Sequence, residues 1–222
     1  MRWSSVLSTQ HDPAVAVSVV TEAIRDQLGD LHADLLLVFA CGHDAAAWSM
    51  FLEHLRHQYP DAVLLGCSAG GVVGGGREVE GAVSLSVTAA SLPDVAVVGF
   101  HYDEASSASV EEDAHWWHKH LGVDADHQPS FLLIPDPYSC DSTHLMKGLD
   151  RAFPGQVKLG GLASGGSGPG ENVLLLNDQI LRAGAVGVAL YGDIEVDAVV
   201  AQGCRPIGEP LVVTRAERNV LI

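Results

Sequence analysis

The chain has 222 residues, 28 of them Asp or Glu against 12 Lys or Arg, a formal net charge of −16, and an apolar fraction of 47%. That much apolar material excludes an intrinsically disordered chain, and the length is ample for a large core. Three lysines and nine arginines stand singly along the sequence, which excludes the clustered cations that nucleic acid or an anionic membrane surface demands.

The longest strongly apolar run, Leu35 to Cys41, is far shorter than the roughly 20 residues that cross a bilayer, so no membrane span is expected. The first residues carry neither a contiguous hydrophobic stretch nor a small-residue cleavage site, and no secretory leader is expected. Cys41, Cys67, Cys140 and Cys204 lie far apart without CxxC spacing, which fits free thiols in a reducing cytoplasm.

In chain order, Trp3 to Thr9 reads as a strand. Asp12-Pro13 then opens a helix, with Asp as N-cap and Pro in the first turn, running to about Leu28. From there an internal duplication organises the sequence. Residues 54–71 match residues 148–165 at seven of eighteen positions: Leu55/Leu149, Pro60/Pro154, Val63/Val157, Leu65/Leu159, Gly66/Gly160, Ala69/Ala163 and Gly71/Gly165. Upstream, LLLVF (Leu35 to Phe39) answers FLLIP (Phe131 to Pro135). Downstream, GAVSLSV (Gly81 to Val87) answers GAVGVAL (Gly184 to Leu190).

Each copy reads as strand, helix, strand, glycine-rich loop, strand, strand. Trp48, Phe51, Leu52, Leu55 and Tyr59 form one helical stripe, and Leu145, Met146, Leu149, Ala152 and Phe153 form its counterpart. Both helices stop at an aromatic residue followed by proline, which pushes its predecessor out of the α region. Val95 to Tyr102 reads as a strand and Ser109 to Leu121 as a helix. Beyond the second copy, Glu195 to Gln202, Leu211 to Val213 and Val220 to Ile222 read as strands. The expected architecture is a layered α/β body with mixed sheets and pseudo-twofold symmetry, its repeats spanning about 30–105 and 128–203 of a single domain over 1–222. The apolar close, VLI, reads as a strand cut short, with 204–222 starting a connection to a further domain.

Several patterns invite chemistry. Gly66-Cys67-Ser68-Ala69-Gly70 fits the G-x-S-x-G nucleophile elbow, with Asp136 and His144 as possible partners, but glycines follow where an elbow needs a helix. Cys67 at the same strand end, and Cys140 in the first turn of a helix, where the macrodipole favours a thiolate, are the candidate reactive thiols. Glu111, His115 and His118 share a helix face and lack an evident fourth ligand, so no metal site is expected; His54 and His57 are a weaker pair. The loops Gly70 to Gly76 and Gly160 to Gly170 hold five and six glycines, with neither GxxxxGK[ST] nor GxGxxG opening a helix. Such backbone suits a carboxylate, with Arg205 in QGCRPIG supplying the charge.

The ordered set GCSAGG (Gly66 to Gly71), LGGLASGG (Leu159 to Gly166), GAVGVAL (Gly184 to Leu190), QGCRPIGEPLVVT (Gln202 to Thr214) and AERN (Ala216 to Asn219) resembles the N-terminal half of a FIST protein. The resemblance runs from about residue 30 to the end. It implies an intracellular sensory module of signal transduction, of a kind also found with F-box domains in eukaryotes, which binds a small ligand such as an amino acid or related carboxylate. It also implies a C-terminal FIST domain as partner and no cofactor.

The expected function is thus a cytoplasmic, non-enzymatic sensor with its site at the glycine-bearing strand ends: Gly66, Cys67, Ser68, Gly160, Gly161 and Arg205, with Asp136 taking an ammonium group. The competing expectations are a thiol- or serine-dependent hydrolase and a protein-interaction scaffold; the downstream signalling partner is not identified by sequence.

Overall fold

A computed structural model describes residues 1–103, 114–199, 208–209, 212–217 and 220–221. Its elements are β1 (Arg2–Ser8), α1 (Pro13–Leu28), β2 (Leu35–Cys41), α2 (Ala45–Gln58), β3 (Val63–Ser68), β4 (Gly71–Gly74), β5 (Arg77–Glu80), β6 (Ser84–Ser91) and β7 (Val95–Tyr102). There follow α3 (Ala114–Leu121), β8 (Ser130–Pro135), α4 (Ser142–Ala152), β9 (Lys158–Gly160), β10 (Leu174–Leu176), β11 (Gln179–Leu181), β12 (Ala185–Gly192), β13 (Ala216–Glu217) and β14 (Val220–Leu221).

Local chemistry sets the helix ends. Asp12 Oδ1 accepts from the Ala14 and Val15 amides at 2.9 and 3.1 Å, capping α1, and Gly29 ends that helix with φ 65°. Asp44 caps α2 through the Ala47 amide, and Asp141 caps α4 through Thr143 and His144. Tyr59 and Phe153, each followed by proline, close α2 and α4 with nearly the same backbone, φ −133° and ψ 68° or 70°.

Two mixed sheets form, in the orders β1-β6-β2-β3-β10-β11 and β7-β12-β8-β9. The strand β2 runs parallel to β3 and antiparallel to β6, just as β8 runs parallel to β9 and antiparallel to β12. With β1 beside β6 and β7 beside β12, both sheets share one connectivity. Helices α1 and α2 cover the outer face of the first sheet, where Val20, Ile24, Trp48, Phe51 and Leu55 meet Leu36, Val38 and Val87. Helices α3 and α4 cover the second, where Trp117, Leu145, Leu149 and Phe153 meet Phe131, Leu133 and Ala189.

The inner faces of the sheets pack on each other through Leu35, Leu65, Cys67, Ile134, Leu174, Val186 and Val188. The result is a four-layer helix–sheet–sheet–helix body. It explains the unbroken apolar run of β2, whose residues face helices on one side and the opposite sheet on the other.

Some expectations need adjusting. The first glycine-rich stretch is the β4-β5 hairpin, turned by Gly75 and Gly76 at φ 56° and 73°, the positive-φ pair that suits a tight hairpin. The β10-β11 hairpin crosses from the second half to pair with β3 in the first sheet. Of the expected strand Glu195 to Gln202, residues 195–199 run irregularly, because alternation alone supplies no ladder partner, and 200–202 lie outside the described residues. Near the end a short hairpin pairs Ala216–Glu217 with Val220–Leu221, while Val212 and Val213 lie outside any strand. The expected helix start at Ser109 lies outside the described residues.

Candidate functional site

Both halves converge at the carboxyl ends of their parallel strands, the place where α/β sheets usually receive ligands. Gly66 lies beside Val38 on β2, and its repeat counterpart Gly160 lies beside Leu133 on β8. A Cβ at either would collide with the carbonyl oxygen of that neighbour, so the glycine is dictated by the ladder in both copies. The two corners touch. Ser68 O accepts from the Ser164 and Gly165 amides at 3.3 and 3.1 Å, and a Cβ on Gly165 would lie 2.5 Å from that of Ser68.

A buried polar chain ties the corners together. Ser68 Oγ accepts from the Val173 amide at 2.9 Å and donates to Asn172 Oδ1 at 3.3 Å. Asn172 Nδ2 donates to Asp136 Oδ1 at 2.8 Å, and Asn172 Oδ1 also accepts from the Gly166 amide at 2.7 Å. Ser139 donates to the second Asp136 oxygen and accepts from the Gly184 amide. Asp136 and Asn172 are both fully buried. The arrangement runs Ser–Asn–Asp, with a carboxamide where a hydrolase needs an imidazole, and a carboxamide cannot take a proton from the hydroxyl. His144 sits instead on the exposed start of α4, 3.9 Å from Asp141.

Beside this chain, between the sheets, lies a hollow of about 290 Å³ walled by Leu37, Phe39, Leu65, Cys67, Leu132 and Ile134, with Gly160, Gly161, Leu162 and Ser164 at one side. Burial pushes the Cys67 thiol up to about 12, so it remains protonated and behaves as an apolar wall. Through Leu133, Gly160, Gly161 and Leu162 the hollow adjoins an outer groove of about 850 Å³ bounded by α4 and residues 197–199.

The glycine loop is less open to anions than its composition predicts. The amides of Gly161, Ala163, Ser164, Gly165, Gly166 and Ser167 all donate inside the protein. Lys158, on the groove wall, directs its ammonium at Phe153 O, Gln156 O and Asp150.

Of the sequence-predicted site residues, Cys67, Gly160 and Gly161 line the hollow. Gly66 sits in the ladder beneath it, and Ser68 and Asp136 belong to the buried chain. Arg205 lies outside the described residues, as do Cys204 and Glu111. Cys140 is buried just ahead of the α4 cap rather than in the first turn. His118 bonds Ala152 O at 2.9 Å and His120 stacks on Trp116, and no metal-holding cluster occurs among the described residues. Sequence reasoning missed Asn172 and Ser139; a lone amide between the glycine loop and the apolar run Val173 to Leu176 was the one available signal for Asn172.

No helix among the described residues is long and apolar enough to cross a membrane. A family model, the FIST N domain, matches residues 34–222. An uncharacterized protein of Mycobacterium tuberculosis (strain CDC 1551 / Oshkosh) is 34% identical over 230 residues, which takes in 100% of this chain and 56% of that protein. Another, from Mycobacterium bovis, is 32% identical over 218 residues, 98% of this chain and 54% of its own length. The chain thus spans a little over half the length of these relatives.

Proposed function

The chain belongs to the FIST N-domain family, associated with signal-transduction sensing, and from that premise we propose a cytoplasmic, non-enzymatic sensor domain that seats a small metabolite between its two sheets. One observation carries the reading: the glycine-bearing strand ends of both halves meet around a hollow, so an occupant would touch Cys67 of one half and Gly160 and Gly161 of the other. Occupancy at such a junction alters how the halves pack, which is what a sensor needs to transmit. A C-terminal FIST domain is the partner proposed to receive that change.

The hydrolase reading has less support. A thiol pushed up to about 12 is a poor nucleophile, and Ser68 is partnered by Asn172 rather than by a base. Thermal-shift screening against amino acids, related carboxylates and their uncharged counterparts tests the proposal. A ligand at 100 times its Kd stabilises the fold by about 2.7 kcal/mol, and Cys67→Phe, which fills the hollow, should remove the response. A flat panel would favour an interaction scaffold; a single hyper-reactive residue under fluorophosphonate or iodoacetamide would favour a hydrolase.

A further inference from the structure

Resting on that reading and narrowing its ligand class, we propose that the hollow selects an uncharged, apolar molecule, and that the amino or carboxylate head of a charged metabolite is not admitted between the sheets. Three observations converge. First, the walls supplied by β2, β3 and β8 are Leu, Phe, Ile and Cys side chains, and no Lys, Arg or His lines the hollow among the described residues. Second, the Gly161, Ala163, Ser164, Gly165, Gly166 and Ser167 amides already donate inside the protein, to Leu133 O, Pro135 O, Ser68 O, Asn172 and Glu171, so most of the backbone hydrogens of this loop are engaged before a carboxylate enters. Third, the buried acid at this end, Asp136, is not among the residues that line the hollow, and both its oxygens already accept, from Asn172 and Ser139.

An unpaired charge carried into such walls loses its hydration without replacement, whereas apolar surface gains by leaving water. Size agrees as well. A dry apolar cavity of roughly 150 Å³ admits benzene, so about 290 Å³ accommodates a branched aliphatic or single-ring body with room to spare. The outer groove offers the approach: Leu162, 54% exposed, borders both spaces and stands where an entering molecule passes.

The test uses three probes with one isobutyl body and different heads: 3-methylbutan-1-ol, isovalerate and leucine. Titrated against the protein with melting temperature as readout, the alcohol should stabilise it dose-dependently, and the two charged probes should need at least about tenfold higher concentration. Cys67→Phe should abolish the alcohol's effect. Because a buried Phe risks the fold, Leu162→Trp at the exposed mouth is the second variant and should weaken it without lowering the unliganded melting temperature. If isovalerate or leucine binds as well as the alcohol, and loses its effect in the variants, the inter-sheet seat stands and the inference on charge falls. If no probe shifts the melting temperature, or the shift survives both variants, the seat itself is refuted and the inference with it.

Discussion

The strand ends β3 and β9 occupy matching places in the two sheets and do different work. Each follows a helix closed by an aromatic residue and a proline, and each holds a glycine that its ladder neighbour would not let be anything larger. But β3 runs six residues and is flanked on its far side by β10, whereas β9 has three residues and, among the described residues, pairs only with β8. The first corner is therefore built into a six-stranded sheet, while the second leaves space above it. Two similarly connected sheets, one extended by a crossing hairpin and one not, thus meet at a hollow that both wall.

The comparison is broken most forcefully at the paired glycines. Gly66→Ala in the interior of the first sheet should cost about 3 kcal/mol by chemical denaturation, the upper end of overpacking costs, because strands on both sides hold the Val38 carbonyl in place. Gly160→Ala meets the equivalent Leu133 carbonyl from a strand with one ladder neighbour among the described residues, at a φ of 155° that side chains rarely adopt, and about 2 kcal/mol is expected. Equal losses would show that the two corners are equally constrained.

Next in size is the polar chain joining them. Asp136→Ala takes the acceptor from the Ser139 hydroxyl and leaves the buried Asn172 amide only its 3.5 Å bond to Ala163 O, and it should cost about 2–3 kcal/mol. A near-neutral result in urea denaturation would mean that the corners do not depend on it.

On the filled side, Arg56 binds the crossing hairpin to α2: its guanidinium donates to Ala62 O and Asn177 Oδ1 and pairs with Asp178 at 2.8 Å. Arg56→Ala should cost roughly 1–2 kcal/mol. It should raise amide exchange in β10 and β11 while leaving β9 unchanged; exchange rising equally in both would dissolve the distinction.

At neutral pH the smallest effect is that of the Cys67 thiol, which shows only in alkali. The folded Cys67 thiol, raised from an ordinary 9.0 to about 12, keeps its proton where the unfolded one has lost it. Its contribution is complete below pH 9 and declines as pH rises from about 9 to about 12, at up to about 1.4 kcal/mol per pH unit. Cys67→Ala should flatten the stability profile in that window relative to the parent chain. Parallel profiles would place the thiol in a wetter setting than the hollow provides.

Much of this was legible in the sequence, for identifiable reasons. Helix caps at Asp12 and the aromatic-proline stops are decided within a few residues, and the match between residues 54–71 and 148–165 placed a helix followed by a glycine-ended strand in each half. What eluded the sequence depends on remote partners. Three-residue strands such as β10 have too short a period to register, and nothing local says that Leu174 to Leu176 will pair with β3 across the halves. The glycine loop's composition advertised open amides, but Ser68, Pro135 and Asn172, distant in sequence or reached only through the fold, take them up. Cys67, Gly160 and Gly161 could be placed at strand ends, yet the apolar character of the space between them depends on Leu37, Phe39, Leu132 and Ile134 from other strands.

The most direct test follows the Cys67 thiol itself, which lines the proposed seat. Modification by 4,4′-dithiodipyridine, localised by peptide mass spectrometry, should slow progressively as 3-methylbutan-1-ol is added, while labelling of the other cysteines is unchanged. A Cys67 rate indifferent to saturating alcohol would show that nothing occupies the space between the sheets, contradicting the account at its centre.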